Sequence, residues 1–138
     1  MQAFSAGQIE TGLRSEIRAT RKAARDASIA LAEATSRVQG DKRELSKADK
    51  ERLMPYVLCY EEAIEDNLNA YEEACARYID NKVDRDRFRK MFFSEIANLV
   101  RKKEAEDHIT FGLLHPEGQS LFQNIWRVYR EWHVVAMT

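Results

Sequence analysis

From residue 13 to 38, Leu13, Ile17, Thr20, Ala24, Ala27, Leu31, Ala34 and Val38 follow one another at alternating spacings of 4 and 3. This is the period of about 3.5 residues expected of a helix packed along a narrow seam. It predicts a first helix over about 8–38, ended by Gly40. The middle of the seam is Ala and Thr, so a partner helix can approach closely while each contact buries little apolar area. A second seam, Val57, Glu61, Ile64, Leu68, Tyr71, Cys75 and Tyr78, repeats the spacing. It predicts a helix over about 47–80, with Ser46 as N-cap and Asp49 completing a capping box. Pro55 lies inside this helix. It lacks a backbone N–H and its ring crowds the preceding turn, so a kink or break is expected near Leu53–Pro55.

Phe88, Met91, Phe92, Ile96, Leu99 and Val100 predict a third helix over about 85–108, capped by Asp84. The stretch from His108 to His115 reads as a mostly apolar connection. A fourth helix is expected over about 117–134, with Pro116 at its opening. It carries two adjacent stripes, Leu121, Ile125, Val128, Trp132 and Phe122, Trp126, Tyr129. A face that wide meets more than one neighbour.

Composition agrees with this pattern. The 138 residues include only 5 Gly and 2 Pro, and strand-like alternation is missing, so the expected class is all-α. The expected architecture is one domain over 1–138, a long antiparallel helical hairpin plus two shorter helices in a bundle. With 22 basic and 23 acidic residues the net charge is −1, which gives no bulk attraction to nucleic acid or to an anionic membrane. Cys59 and Cys75 fall in one predicted helix roughly 24 Å apart, too far for a disulfide. No segment approaches the apolar length of a membrane span. These features point to a reduced, cytoplasmic setting.

The tetrapeptide Tyr-Glu-Glu-Ala occurs at 60–63 and again at 71–74. Eleven residues make almost three turns, so the copies point the same way but stand about 16 Å apart and cannot share one metal ion. The Glu-x-x-His pairs of carboxylate di-metal bundles are missing too, and no metal site is expected. The charged face is instead expected to meet the first helix. Arg14, Arg18, Arg21 and Arg25, spaced 4, 3 and 4, lie one position beyond the first seam, as Glu62, Glu65 and Glu72 lie beside the second. In an antiparallel hairpin these rows come level and would set the register.

Catalytic signatures are missing. His108, His115 and His133 have no metal-ligand spacing, Cys59 has no base beside it in sequence, and no phosphate-binding glycine loop occurs. No catalytic, cofactor-binding or metal-ligating residues are assigned. The aromatic run Phe122, Trp126, Tyr129, Trp132 reads as core with a part available to a partner. The candidate interface is therefore Arg14, Arg18, Arg21 and Arg25 together with Trp126, Tyr129 and Trp132.

Two stretches carry a family resemblance. "SEIRATRKAARDASIAL" at 15–31, then the order of acidic helix, "YIDNKVDRDRF", aromatic helix and "LHPEGQSLFQNIWRVYREW", resembles a group of small bacterial membrane-anchored helical proteins of unknown function. The similarity is to their cytoplasmic segment, and this sequence lacks their N-terminal membrane helix. The resemblance implies a cytoplasmic protein, or one at the cytoplasmic face of a membrane if an anchor precedes it. It implies no catalytic residue.

The first two helices would extend roughly 45–50 Å and the fourth only about 27 Å. The overhanging seam calls for a second molecule, so a homo-oligomer is expected, most simply a dimer through the first helix. The leading functional expectation is a non-catalytic protein-interaction and oligomerisation module with an unidentified protein partner. The alternative is a small regulatory protein that binds nucleic acid or a nucleic-acid enzyme, and a carboxylate-lined metal carrier or enzyme ranks third. Nucleic acid is not the expected partner, because no aromatic or glycine-rich element accompanies the Arg row.

Overall fold

A computed structural model describes residues 5–134, in which every regular element is helical. The first helix, α1 (Ala6–Gln39), opens on a reciprocal capping box between Ser5 and Gln8. It closes at Gly40, whose φ of 54° is a conformation that glycine adopts without a Cβ penalty. The second, α2 (Lys47–Ile79), opens on the capping box of Ser46 and Asp49. Burial pushes the Cys75 thiol in α2 well above its usual range.

These two helices form the expected antiparallel hairpin. Asn67 Nδ2 of α2 donates to the Ile17 carbonyl and to Thr20 Oγ1 of α1, at 3.3 and 2.9 Å. Ala63, Ala70 and Ala74, in line with Asn67, are all buried, and their small side chains admit the close approach of α1. All eight positions of the first seam are buried or half-buried.

The second seam turns to a different neighbour. Its C-terminal half, Leu68, Tyr71, Cys75 and Tyr78, joins the main core with Phe88, Phe92, Ile96 and Val100 of α3 (Arg85–Arg101), Leu114 of α4 (His108–Leu114) and Ile125, Val128 and Trp132 of α5 (Gln123–His133). Tyr78 stacks on Phe88 at 5.2 Å and meets Trp132 edge-on at 5.2 Å, while Tyr71 meets Phe92 edge-on. The core therefore sits at one end of the hairpin, between the C-terminal half of α2 and the helices α3 to α5.

Four local expectations are corrected. The predicted third helix stops at Arg101 instead of running to 108, because Asp107 caps a new helix, accepting from the Thr110 amide at 3.1 Å and from its hydroxyl at 2.7 Å. The expected connection from His108 to His115 is thus α4 over most of its length. Pro116 does not open the last helix, which begins at Gln123. Its N-terminus is capped from another element: Glu72 of α2 accepts from the Asn124 and Ile125 amides at 3.0 and 2.9 Å. Finally, α2 runs unbroken through Pro55. Pro55 and Glu51 are both exposed, so water can satisfy the Glu51 carbonyl that loses its helical donor.

Candidate functional site

The Arg row of α1 does not pair with the acidic row of α2. Arg21 instead joins three helices: its guanidinium donates to the buried Tyr71 hydroxyl of α2 and, at 2.7 Å, to Glu95 of α3. The hydrogen bond it donates to Tyr71 holds the guanidinium above its usual pKa, and burial raises that of the Tyr71 phenol despite the nearby cation. About one turn before Arg14, α1 also meets α3 through Glu10. The Glu10 carboxylate is almost fully buried and receives a two-pronged bond from Arg87, with distances of 3.1, 3.1 and 2.6 Å. Such a fork resists sliding of α1 along α3. The expected partners lie elsewhere: Glu72 caps α5, and Glu62 and Glu65 are exposed without an ion pair among the described residues. The physical reason is that α3 sits beside α1 and takes Arg21, while the acidic row faces away.

Between these two bridges lies a groove. Ile17, Met91 and Phe92 form its floor, and Arg14, Arg18, Arg21 and Glu95 its walls, around a cleft of about 180 Å³. A second depression of about 460 Å³ adjoins it through the shared Arg14 and Met91 and is closed by the Glu10–Arg87 pair. Arg14 and Arg18 are exposed and have no carboxylate partner among the described residues. Arg25 lies a further turn along α1, also exposed and unpaired among the described residues but outside the groove lining. Of the four arginines singled out in the sequence, three therefore meet at one site.

The aromatic candidates divide. Trp132 is a core residue, 3% exposed, with Nε1 donating to the Tyr78 hydroxyl at 3.0 Å, and it is removed from the candidate interface. Trp126 and Tyr129 are half-buried. Trp126 Nε1 donates to the Leu114 carbonyl at 2.8 Å, and the Tyr129 hydroxyl accepts from Arg101 at 3.1 Å. Both pin α5 to its neighbours, so their polar tips are engaged. A depression of about 410 Å³ does border Trp126 and Arg130 at the link from α4 to α5. His115, which lines it, holds Nε2 against the Val100 carbonyl at 2.8 Å. A carbonyl only accepts, so the proton sits on Nε2. His133 does the same to the Phe93 carbonyl at 3.0 Å. Both rings are thereby structural staples.

Among the described residues no group of His, Cys, Asp and Glu is arranged to hold a metal ion, and every buried side-chain polar atom has a partner. No described helix is long and apolar enough to cross a membrane. Sequence reasoning found the arginines but missed the floor of Ile17, Met91 and Phe92 and the Glu10–Arg87 clasp. One signal was present: Glu10 lies three residues before Leu13, in line with the first seam. Compared with known proteins, the chain matches no family model, no curated protein and no solved structure.

Proposed function

We propose that this protein is a non-catalytic interaction module whose groove between α1 and α3 receives an acidic, partly apolar helical segment of a protein partner. The observation that carries the reading is the pair Arg14 and Arg18, unpartnered on the wall of a groove with an apolar floor. An amphipathic helix laid in such a groove would set its apolar side on Ile17, Met91 and Phe92 and its carboxylates against the guanidinium groups. A nucleic acid suits the site less well, since Glu10 and Glu95 place carboxylates beside the same arginines and the one aromatic residue that lines the groove, Phe92, is buried. The two cysteines are free thiols, which supports a reducing, cytoplasmic setting. The resemblance to the cytoplasmic segments of bacterial membrane-anchored proteins supports the same placement.

Fluorescence anisotropy with a labelled, Glu-rich amphipathic helical peptide tests the reading, with a Lys-rich peptide of the same apolar pattern and a single-stranded oligonucleotide as competitors. Binding of the acidic peptide that falls about tenfold or more in Arg14→Gln/Arg18→Gln, with unchanged circular dichroism, is expected. Equal binding of both peptides, or tighter binding of the oligonucleotide, would overturn it.

A further inference from the structure

One line of side chains runs the whole length of α2. Lys47, Lys50, Met54, Leu58, Glu61, Glu65, Leu68, Glu72, Cys75 and Ile79 are spaced by 3 or 4 and share one helical face. In its C-terminal half this face is covered: Leu68 and Cys75 are 1% and 0% exposed, Glu72 caps α5, and Ile79 packs against the core. In its N-terminal half it is bare. Met54 and Leu58 are 48% and 55% exposed on the part of the hairpin that extends beyond the core.

The bare half carries a polarity of charge. Lys47 and Lys50 lie on the N-terminal side of Met54 and Leu58, and Glu61, Glu62 and Glu65 on the C-terminal side. All five are exposed, and none forms an ion pair among the described residues. Such a stripe, basic then apolar then acidic, is complementary to itself when reversed.

We infer that two copies of this chain associate through this face, with their α2 helices antiparallel about a twofold axis near position 56. That axis sets Met54 of each copy beside Leu58 of the other, Lys47 opposite Glu65, and Lys50 opposite Glu62. A twofold interface is isologous, so each of these pairs occurs twice. Glu51 opposite Glu61 is the one juxtaposition of like charges, and Lys50, which precedes Glu51 and faces Glu62, stands beside it. The occupant is a second copy because the register that joins the two apolar residues also joins the opposite charges, with no further adjustment. The contact belongs to α2, none of whose residues lines the Arg groove, and it does not rest on the groove's reading. From Lys47 to Glu65 it spans about 27 Å of helix, a single pair of helix faces and so a small interface beside the area of about 1,200–2,000 Å² typical of stable ones. The expected association is therefore of micromolar strength.

Sedimentation velocity over a micromolar to sub-millimolar range tests this at low and high salt. A monomer–dimer equilibrium that weakens with salt is expected. Lys47→Glu/Lys50→Glu and Glu62→Lys/Glu65→Lys should each weaken it about tenfold or more, and the two sets combined in one chain should restore it. Leu58→Asp should abolish it, with helicity by circular dichroism unchanged. A wild type that stays monomeric throughout, a dimer indifferent to both charge reversals, or a combined variant that fails to recover would each overturn the proposal. Loss of acidic-peptide binding in the Arg14→Gln/Arg18→Gln variant leaves this equilibrium unchanged.

Discussion

At the scale of single residues, two carboxylates show how position decides role. The repeated Tyr-Glu-Glu-Ala motif places identical side chains at 60–63 and 71–74, yet Tyr60 is half-buried while Tyr71 is fully buried against Arg21 and Phe92. Glu72 in the second copy holds the first free amides of α5, whereas its counterpart Glu61 is exposed. The positive end of a helix favours an anion, and a charged acceptor bonds more strongly than a neutral one. Glu72→Gln is expected to lower stability by about 1–2 kcal/mol in urea titrations, while Glu61→Gln changes it little. Asp49 is the second case. The Ser46 backbone N–H, then Lys42 and the Ser46 hydroxyl, hold its carboxyl down from the usual 3.8 to about 2. Its folded pKa lies below its unfolded one, so its contribution is complete above about pH 4 and is lost as pH falls from there through about 2. Acid titration of thermal stability should show this loss in the wild type and its absence in Asp49→Asn.

At the scale of elements, the caps that were readable are local ones, although the equally local Ser5 and Asp107 were not read. Ser46, Asp84 and Gly40 mark their helix ends in the sequence because a side chain or a φ value within a few residues satisfies the orphan backbone groups. The start of α5 was not readable, since its acceptor Glu72 lies about fifty residues away in the chain, and Pro116 offered a nearer but wrong signal. Pro55 misled in the other direction. A proline ends a helix when its neighbours cannot absorb the missing bond, and here both Pro55 and Glu51, whose carbonyl is deprived, are exposed residues. Pro55 still costs helix stability. Pro55→Ala should stabilise the N-terminal part of α2 by about 1–2 kcal/mol after allowance for the freer unfolded chain. Slower hydrogen exchange of the amides near residues 54–59 would register it.

At the scale of the whole molecule, the core is concentrated at one end. Among the described residues, seventeen buried ones from Ile17 to Trp132 form the main cluster, and the deeply buried Leu68, Phe88, Ile96, Leu114 and Ile125 all belong to it. Among the described residues the opposite end is two helices alone, sealed by Ala24, Leu31, Ala34 and Leu53 and edged by exposed Ile29, Met54, Tyr56 and Leu58. Small contacts of that kind bury little area per residue, so local opening there costs less than global unfolding. Native-state hydrogen exchange at high dilution should show the lowest opening free energies around 30–39 and 47–56. The highest should lie in 68–78 and 88–100. At concentrations that populate the inferred dimer, protection around 50–62 should rise while the core values stay fixed.

The sequence by itself determined the helical class, the hairpin, three of the caps, the first seam and the second apart from the exposed Glu61, because period, cap chemistry and turn residues act over a few positions. It also contained the Arg row and the reversed charges along α2. Only the tertiary structure decided what each face meets. The second seam proved to face α3 to α5 as well as its hairpin partner, Trp132 went to the core, and the arginines met Tyr71 and Glu95 of α2 and α3 or stayed unpaired beside an apolar floor. A helical period says which residues share a face. The identity of the neighbour depends on how helices far apart in the chain divide the available surface, and that division is made only when they pack.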